Sequence, residues 1–291
     1  MNPREFEYHS PTSLKETVAT LEKYKGEAKI LAGGQSLIPL MKLRLVAPAH
    51  VVDIGRVRGL SYIRRESGFI SIGAMTRMSE IESSELIAAS LPILRDCASE
   101  IADPLVRNMG TIGGNVSHAD PTNDMPAVMV ATRSQFEAVG PKGRRSLSAT
   151  TFFKDTFTTE LLEEEVLSEI RIPTARYKDG AYVKLERQAG DFGIAGVAAS
   201  LTLGKDGQCK ECGIALTGVG PTVIRALRSE EKITGGRVGA SSVESAAELA
   251  AEDSQPVADL RGTVEYKREM VGVLTKRALS LALKRTRARL R

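Results

Sequence analysis

Two glycine pairs are the residues of this sequence that are best suited to bind a ligand. The stretch ILAGGQSLIPLMKLR contains Gly33 and Gly34, and NMGTIGGNVSHADPTND contains Gly113 and Gly114, in each case after an apolar lead-in. A Gly-Gly pair at the end of a strand can adopt positive φ and lacks the Cβ atoms that keep a ligand away from the backbone. Successive N–H groups can then converge on an anion, beside the N-terminus of a following helix.

Small polar side chains accompany both pairs, namely Gln35 and Ser36 in the first motif and Thr111 and Asn115 in the second. Two such motifs could hold the two phosphates of a pyrophosphate from opposite sides, without a lysine. Four to six charge-assisted hydrogen bonds of ~1.5–3 kcal/mol each would retain such a ligand. Taken alone, each motif is also consistent with an ordinary turn at a strand end. The G-x-G-x-x-G and P-loop patterns are absent from the sequence, so neither of those nucleotide sites is supported.

The histidines and cysteines are weaker candidates for chemistry. His118 lies inside the second motif without a partner at i+4, and His9 and His50 lie elsewhere in the sequence, so we predict no metal ligand in this chain. Cys209 and Cys212 have C-x-x-C spacing, but no second pair completes a zinc site, and we interpret them as an accidental pair in a hairpin turn. An iron–sulfur cluster needs about four cysteine ligands, and the chain has 3 cysteines.

Hydrophobic periodicity predicts the elements that position these motifs. A helix is predicted over 13–24, beginning at a capping box on Ser13. A strand over 28–32 leads into the first glycine pair, and Ser36 could cap a helical turn after it. The remaining predictions for this half are strands over 50–54, 69–72, 135–139 and 167–172 and helical segments over 76–101, interrupted at Pro92, and near 125–132.

The pattern changes beyond residue 175. Alternating stretches over 181–186, 194–203 and 211–217 predict a small antiparallel sheet, and helices are predicted over 224–232, 242–252 and 264–290. The polar segment 174–180 is a plausible linker. We therefore predict a domain over 1–175, with subdomains of about 1–55 and 56–175, and a C-terminal domain over 176–291.

Composition and charge exclude several classes of protein. The net charge of +4 arises from seven basic residues within 276–291, and aromatic residues make up 4% of the chain with no Trp. We therefore expect no nucleic-acid binding and interpret the basic end as a solvated helix. No apolar run approaches the ~18 residues of a membrane span. The N-terminus has no apolar signal region and the cysteines form no disulfide framework, so we expect a cytoplasmic protein.

Four segments together resemble the FAD-binding medium subunit of molybdenum hydroxylases, the family of xanthine dehydrogenase, carbon monoxide dehydrogenase and aldehyde oxidoreductase. They are LAGGQSLIPLMKLR, NMGTIGGNVSHADPTNDMPAVMVA, GDFGIAGVAAS and ALTGVGPTVIRA. The resemblance covers essentially the whole chain from Phe6. It implies an α+β fold, with a vanillyl-alcohol-oxidase-type FAD-binding domain of two α/β subdomains and a smaller α+β C-terminal domain.

The resemblance also implies which residues contact FAD. Lys29, Ile30, Leu31, Ala32, Gly33, Gly34, Gln35 and Ser36 match the first pyrophosphate loop, and Thr111, Ile112, Gly113, Gly114 and Asn115 match the second. Asp124 matches an acidic residue that contacts ribityl or ribose hydroxyls, Leu167 an apolar flavin or adenine contact, and Lys184 a lysine that reaches the cofactor. Phe192 stands where relatives often carry Tyr beside the isoalloxazine, and a plain core aromatic is the alternative for it.

The function implied by the resemblance is electron transfer within a larger enzyme. This chain would carry FAD, accept electrons from 2Fe–2S clusters on a small subunit and pass them to an external acceptor. A large subunit with molybdopterin would oxidise an aldehyde, CO or an N-heterocycle, in a heterotrimer or its dimer. The alternatives are a self-sufficient FAD-dependent oxidoreductase and a non-catalytic nucleotide-binding protein.

Overall fold

The computed structural model describes residues 2–174 and 179–290, and its N-terminal part is built on a parallel sheet. The elements in chain order are β1 (Glu7–His9), α1 (Leu14–Lys23), β2 (Ala28–Leu31), α2 (Leu37–Lys42) and β3 (His50–Asp53). Strands β1 and β2 both pair in parallel with β3, in the order β1-β3-β2. The Ser13 hydroxyl accepts a hydrogen bond from the Glu16 N–H, which is the predicted cap of α1.

An antiparallel sheet surrounded by helices follows. Its elements are β4 (Ile63–Glu66), β5 (Phe69–Gly73), α3 (Met78–Ser83), α4 (Glu85–Ser90), α5 (Pro92–Ser99), α6 (Pro104–Arg107), α7 (Ile112–His118), α8 (Met125–Ala131), β6 (Gln135–Gly140), β7 (Gly143–Ser148), α9 (Ala149–Phe152), β8 (Phe153–Asp155), β9 (Thr158–Thr159) and β10 (Val166–Pro173). The order of the five-stranded sheet is β4-β5-β10-β6-β7. Helix α8 is buried along its whole length, which fixes the segment before it.

The predicted helical region 76–101 contains three short helices. Ser84 ends α3, and its hydroxyl accepts a hydrogen bond from the Ile87 N–H at the start of α4. Pro92 is the first residue of α5, a position where its missing N–H costs nothing. The interruption predicted at Pro92 is therefore confirmed as a helix start.

The C-terminal part is an antiparallel sheet covered by helices. Its elements are β11 (Asp179–Leu185), β12 (Ala195–Leu203), β13 (Cys209–Thr217), β14 (Ile224–Arg225), α10 (Leu227–Ile233), α11 (Ala240–Asp253) and α12 (Val264–Leu290). The predicted antiparallel sheet is confirmed, with β14 as a fourth strand. Helix α10 begins later than predicted because residues 224–225 pair with β13. Cys209 and Cys212 are buried within β13, and the prediction that they lie in the turn is wrong.

The basic C-terminal helix ties the two halves of the chain together. Arg285 pairs with Asp96 at 2.5 Å, and Arg289 donates a hydrogen bond to the Ala89 carbonyl at 3.0 Å. Of the predicted linker 174–180, residues 175–178 lie outside the described residues, and the domain divisions at 55 and 175 remain predictions. Among the described helices, none combines the length and the hydrophobicity that crossing a membrane requires.

Candidate cofactor-binding site

The two glycine motifs lie against each other in the structure. A Cβ atom added to Gly33 would stand 2.2 Å from the carbonyl oxygen of Met109 and 2.9 Å from the Cα of Gly110. A Cβ atom added to Gly114 would stand 3.6 Å from the Cβ of Ala32. This close backbone approach requires glycine at position 33. Two segments far apart in the sequence therefore form one site.

The first motif turns sharply after β2 and leaves its amides free. Gly34 has a φ of +73°, a conformation that glycine adopts without strain, and α2 begins three residues later. Within residues 2–174 and 179–290, the N–H groups of 33–36 have no hydrogen-bond acceptor. Ser36 is the N-cap residue of α2, yet in the same described chain its side chain makes no capping hydrogen bond. Four N–H groups and one hydroxyl are thus available to an anionic ligand.

The second motif is not the end of a strand, and that prediction is wrong. Gly113 and Gly114 lie in the first turn of α7, for which Thr111 is the N-cap. The Thr111 hydroxyl accepts from the Gly114 N–H at 3.2 Å, and the Gly113 N–H donates to the Ala74 carbonyl at 2.8 Å. The Ile112 N–H donates to the Thr76 carbonyl at 3.0 Å. These three amides are already hydrogen-bonded, so the expected row of converging N–H groups is found in the first motif and not in the second.

Packing within the protein already requires glycine at position 113. A Cβ atom on Gly113 would stand 2.5 Å from the Cβ and 2.7 Å from the carbonyl oxygen of Ala74. The missing side chain therefore allows α7 to lie against the residues that follow β5. The prediction that Gly113 also admits a ligand stays a prediction.

Asn115 supplies the clearest sign that this site fits a ligand. Its Oδ1 atom is buried, and no donor in the described part of the chain reaches it. The Asn115 carbonyl accepts a hydrogen bond from Asn123 Nδ2 at 2.9 Å, which connects α7 to the segment before α8. A buried amide oxygen without a donor is costly. The residues present therefore fit a ligand that brings a donor to Asn115 and phosphates to the free amides of 33–36.

Asp124 and Lys184 meet in a buried polar cluster beside the second motif. Tyr182 donates its hydroxyl hydrogen to Asp124 at 2.5 Å, and the Lys184 ammonium lies 3.7 Å from the same carboxylate. Lys184 also donates to the carbonyls of Glu100 and Asp191 and lies 3.0 Å from Glu186. Its side chain is 1% exposed. The ammonium thus binds protein acceptors, and it can act on a ligand mainly by fixing Asp124.

Burial changes the acid–base behaviour of this cluster. Desolvation raises the pKa of Asp124 to about 6, against the smaller opposing effects of the Lys184 charge and the Tyr182 hydrogen bond. Desolvation and the neighbouring Asp124 carboxylate raise the pKa of Tyr182 well above its ordinary value. Tyr182 therefore remains a hydrogen-bond donor at neutral pH, while Asp124 is an acceptor that is mostly ionised.

The C-terminal sheet holds the segment that carries Asp124. The Thr217 hydroxyl lies 2.9 Å from the Pro121 carbonyl oxygen and 2.6 Å from that of Asn123, and the Gly218 N–H donates to Pro121 at 2.9 Å. Sequence reasoning missed Tyr182, Thr217 and Asn123. Their partners lie far away along the chain, and no local pattern indicated them.

The other predicted contacts have different environments. Lys29 is exposed on β2, Ile30 and Leu31 are half-buried, and Ile112 is buried in the core. Leu167 is also buried in the core, on the strand β10 that packs beneath α7. Phe192 is 52% exposed, so the alternative of a core aromatic is wrong.

Comparisons with known proteins agree with a flavin site. Residues 4–175 match the family described as the FAD binding domain in molybdopterin dehydrogenase, and residues 180–282 match the CO dehydrogenase flavoprotein C-terminal domain. The chain is 44% identical over 284 residues to the carbon monoxide dehydrogenase medium chain of Hydrogenophaga pseudoflava, covering 97% of this chain and 98% of the relative. It is 37% identical to the glyceraldehyde dehydrogenase medium chain of Sulfolobus acidocaldarius, covering 96% and 98%.

A solved structure of carbon monoxide dehydrogenase from Hydrogenophaga pseudoflava, which lacks the Mo-pyranopterin moiety of its molybdenum cofactor, has the same fold. The TM-score is 0.94 at 44% identity, covering 98% of this chain and 99% of that chain. The fold and the site are those of an FAD-binding flavoprotein. More particularly, the chain belongs to the family of FAD-binding medium chains of molybdenum hydroxylases. The predicted family, α+β fold class and FAD cofactor are confirmed.

Proposed function

We propose that this chain is the FAD-carrying electron-transfer subunit of a heteromeric molybdenum hydroxylase. It assembles with a large subunit that holds the molybdenum cofactor and a small subunit that holds 2Fe–2S clusters, in a heterotrimer or its dimer. The chain accepts electrons from the 2Fe–2S clusters and passes them to an external acceptor. The holoenzyme oxidises an aldehyde, CO or an N-heterocycle, in keeping with the names of the relatives.

The observation that carries this proposal is the contrast between the two motifs. The free N–H groups of 33–36 are donors that suit phosphate oxygens, and the buried Asn115 Oδ1 is an acceptor that suits a hydroxyl or amino group. FAD offers both kinds of partner in one molecule. The two motifs are in contact through Gly33 and Met109, so a pyrophosphate bound to the first motif lies within reach of the second.

The residues of the site have distinct tasks in this proposal. Gly33, Gly34, Gln35 and Ser36 bind the phosphates, while Lys29, Ile30, Leu31 and Ala32 form the strand that positions them. Thr111, Ile112, Gly113, Gly114 and Asn115 form the facing wall, of which Asn115 contacts the ligand directly. Leu167 supports this wall from below, and the exposed Phe192 ring is free to cover an aromatic ring of the ligand. Bound FAD supplies the redox chemistry.

Asp124 and Lys184 position and polarise the ligand in this arrangement. The Asp124 carboxylate accepts from Tyr182 and is held near the Lys184 ammonium, which compensates its charge in a buried place. The carboxylate has further acceptor positions for a ligand hydroxyl. Asp124 is a ligand contact, and Lys184 is a positioning residue.

The three free cysteines, Cys97, Cys209 and Cys212, are all buried thiols. A reducing compartment preserves such thiols, and the proposal therefore includes a cytoplasmic location.

The proposal is tested by purifying the chain from its native source together with the subunits that accompany it. We expect one FAD per chain, released on denaturation, together with molybdenum and iron in the same complex. We also expect anaerobic addition of the right substrate to bleach the flavin absorbance only when the partner subunits are present. Flavin reduction by substrate in the isolated chain would instead indicate a self-sufficient oxidoreductase. A colourless complex that does not take up added FAD would indicate a non-catalytic nucleotide-binding protein.

A further inference from the structure

Glu7, His9 and His50 converge at one edge of the parallel sheet. Glu7 and His50 are register partners on β1 and β3, and His9 is two residues beyond Glu7 on the same face. Their ligand atoms all lie within 4.8 Å of one another. The two histidines are 41 residues apart in the sequence, which is why sequence reasoning treated them as separate residues with no metal to bind.

The distances between these atoms match those between ligands of one tetrahedral metal ion. His9 Nε2 lies 3.1 Å from His50 Nδ1 and 3.7 Å from Glu7 Oε1, and His50 Nδ1 lies 3.4 Å from Glu7 Oε2. Zinc bonds of ~2.0–2.1 Å at tetrahedral angles separate neighbouring ligand atoms by ~3.3–3.4 Å. The three side chains therefore form one triangular face of a tetrahedron without rearrangement of the backbone.

The surroundings hold the imidazoles in place and leave one side open. The His9 and His50 side chains are 18% and 12% exposed, whereas Glu7 is 60% exposed. The Tyr24 ring stacks on His50 at 3.7 Å and lies 5.0 Å from His9. Glu27 Oε2 lies 3.9 Å from His50 Nε2, where a carboxylate can orient a metal-bound imidazole. The exposure of Glu7 lets water reach an ion bound to the three side chains and serve as its fourth ligand.

We propose that Glu7, His9 and His50 form a zinc(II) site that fastens β1 to β3. A hydrogen bond between His9 and His50 uses only two of the three side chains. A zinc ion would bind both imidazoles and the Glu7 carboxylate at once. Two neutral imidazoles, one carboxylate and a water are a ligand set that zinc accepts. Strand β1 has three residues and pairs only with β3 among the described strands. A bound zinc ion would therefore connect β1 to β3 in addition to the backbone hydrogen bonds. The site lies at the start of β3, beside the start of β2. The first glycine motif follows the other end of β2.

The test measures zinc in the purified complex. The complex is treated with a chelator, dialysed against zinc chloride alone, and analysed for bound zinc per chain. We expect one zinc per wild-type chain, and an affinity lowered more than ~100-fold in His9→Gln and in His50→Gln, since loss of a mere orienting partner already costs 10–100-fold. His118→Gln is the matched control, because it removes the third histidine of the chain from a different place and should leave zinc binding unchanged.

A second measurement separates a site from adventitious binding. Hydrogen exchange of the β1 amides should slow when zinc is added to wild type but not to His50→Gln, while FAD content stays the same in both. Equal zinc binding by wild type and the His9→Gln/His50→Gln double variant would overturn the site. If one zinc binds per chain but the β1 amides are not protected from exchange, the proposal that zinc fastens β1 to β3 is refuted.

Discussion

Replacing Gly33 by alanine tests the contact on which the whole flavin site depends. The new Cβ would stand 2.2 Å from the Met109 carbonyl oxygen and 2.9 Å from Gly110 Cα, both of which are backbone atoms that no rotamer change can move. The two motifs must therefore separate by about 1 Å, an overpacking that typically costs about 1–3 kcal/mol in stability. Gly33 has no positive φ, so the effect is steric and not conformational.

The effect on FAD follows from the same displacement. A shift of about 1 Å lengthens a hydrogen bond of ~2.9 Å beyond the range in which it contributes. The clash displaces Gly33 and with it the free N–H groups of 33–36 that bind the phosphates, and we expect the loss of two of these bonds, at ~1.5–3 kcal/mol for each bond to a charged group. We therefore expect Gly33→Ala to weaken FAD binding by ~10²–10⁴-fold, since 1.4 kcal/mol corresponds to a factor of ten.

The assay is titration of the FAD-depleted protein with FAD, followed by flavin fluorescence, with thermal unfolding measured on the same samples. Gly236→Ala is a matched control, because nothing lies within 4 Å of an added Cβ at Gly236. Gly113→Ala is a second comparison and should lower stability without selective loss of FAD, because its Cβ would strike Ala74 within the core. An FAD affinity of Gly33→Ala within about threefold of wild type would refute the reasoning.

Three further predictions concern individual buried groups. Asn115→Leu should weaken FAD binding up to about tenfold, measured by the same titration, without lowering stability, since it removes an acceptor that lacks a protein donor. The pKa of Asp124 is about 6 in the folded chain against 3.8 ordinarily, so between these values the folded chain binds more protons than the unfolded one. Denaturant unfolding of the FAD-free chain should show this contribution as a loss of about 2 kcal/mol of stability from pH 4 to pH 6.5, which Asp124→Asn lacks. Glu230→Ala should lower the free energy of unfolding by about 3–5 kcal/mol, because the buried Glu230 carboxylate binds Arg133 at 2.7 Å and Arg225 at 2.8 Å. An unchanged midpoint of chemical denaturation in Glu230→Ala would contradict this last prediction.

Local patterns in the sequence predicted the elements whose formation is local. The capping box at Ser13 and the alternating strands of the C-terminal sheet are properties of neighbouring residues, and the structure has them close to the predicted positions. Helix α7 was missed for a physical reason. Two adjacent glycines have low helix propensity, and the turn forms because Ile112 and Gly113 donate to carbonyls at Thr76 and Ala74. A local pattern contains no information about those partners.

The parts of the site that join distant segments were beyond such reasoning. Tyr182 is 58 residues from Asp124, and Thr217 is 94 residues from Asn123. The resemblance indicated Asp124 and Lys184 as flavin contacts, but not that they bind each other or that the C-terminal sheet supplies their neighbours. Lys184 is buried, and the carbonyls of Glu100 and Asp191 and the carboxylate of Glu186 already supply acceptors for its ammonium group.

The attachment of the Asp124 segment to the C-terminal sheet implies that cofactor binding and domain packing are thermodynamically linked. The segment 121–124 is held from one side by Thr217 and Gly218 on the C-terminal sheet and from the other by the hydrogen bond between Asn123 and Asn115. A ligand that binds Asp124 and Asn115 therefore binds only when the two halves of the chain are packed together. By linkage, bound FAD must then stabilise that packing, and the contacts of Arg285 with Asp96 and of Arg289 with the Ala89 carbonyl must favour FAD binding in return. The basic end of α12 thus supports the flavin site, although it lies far from it in the sequence.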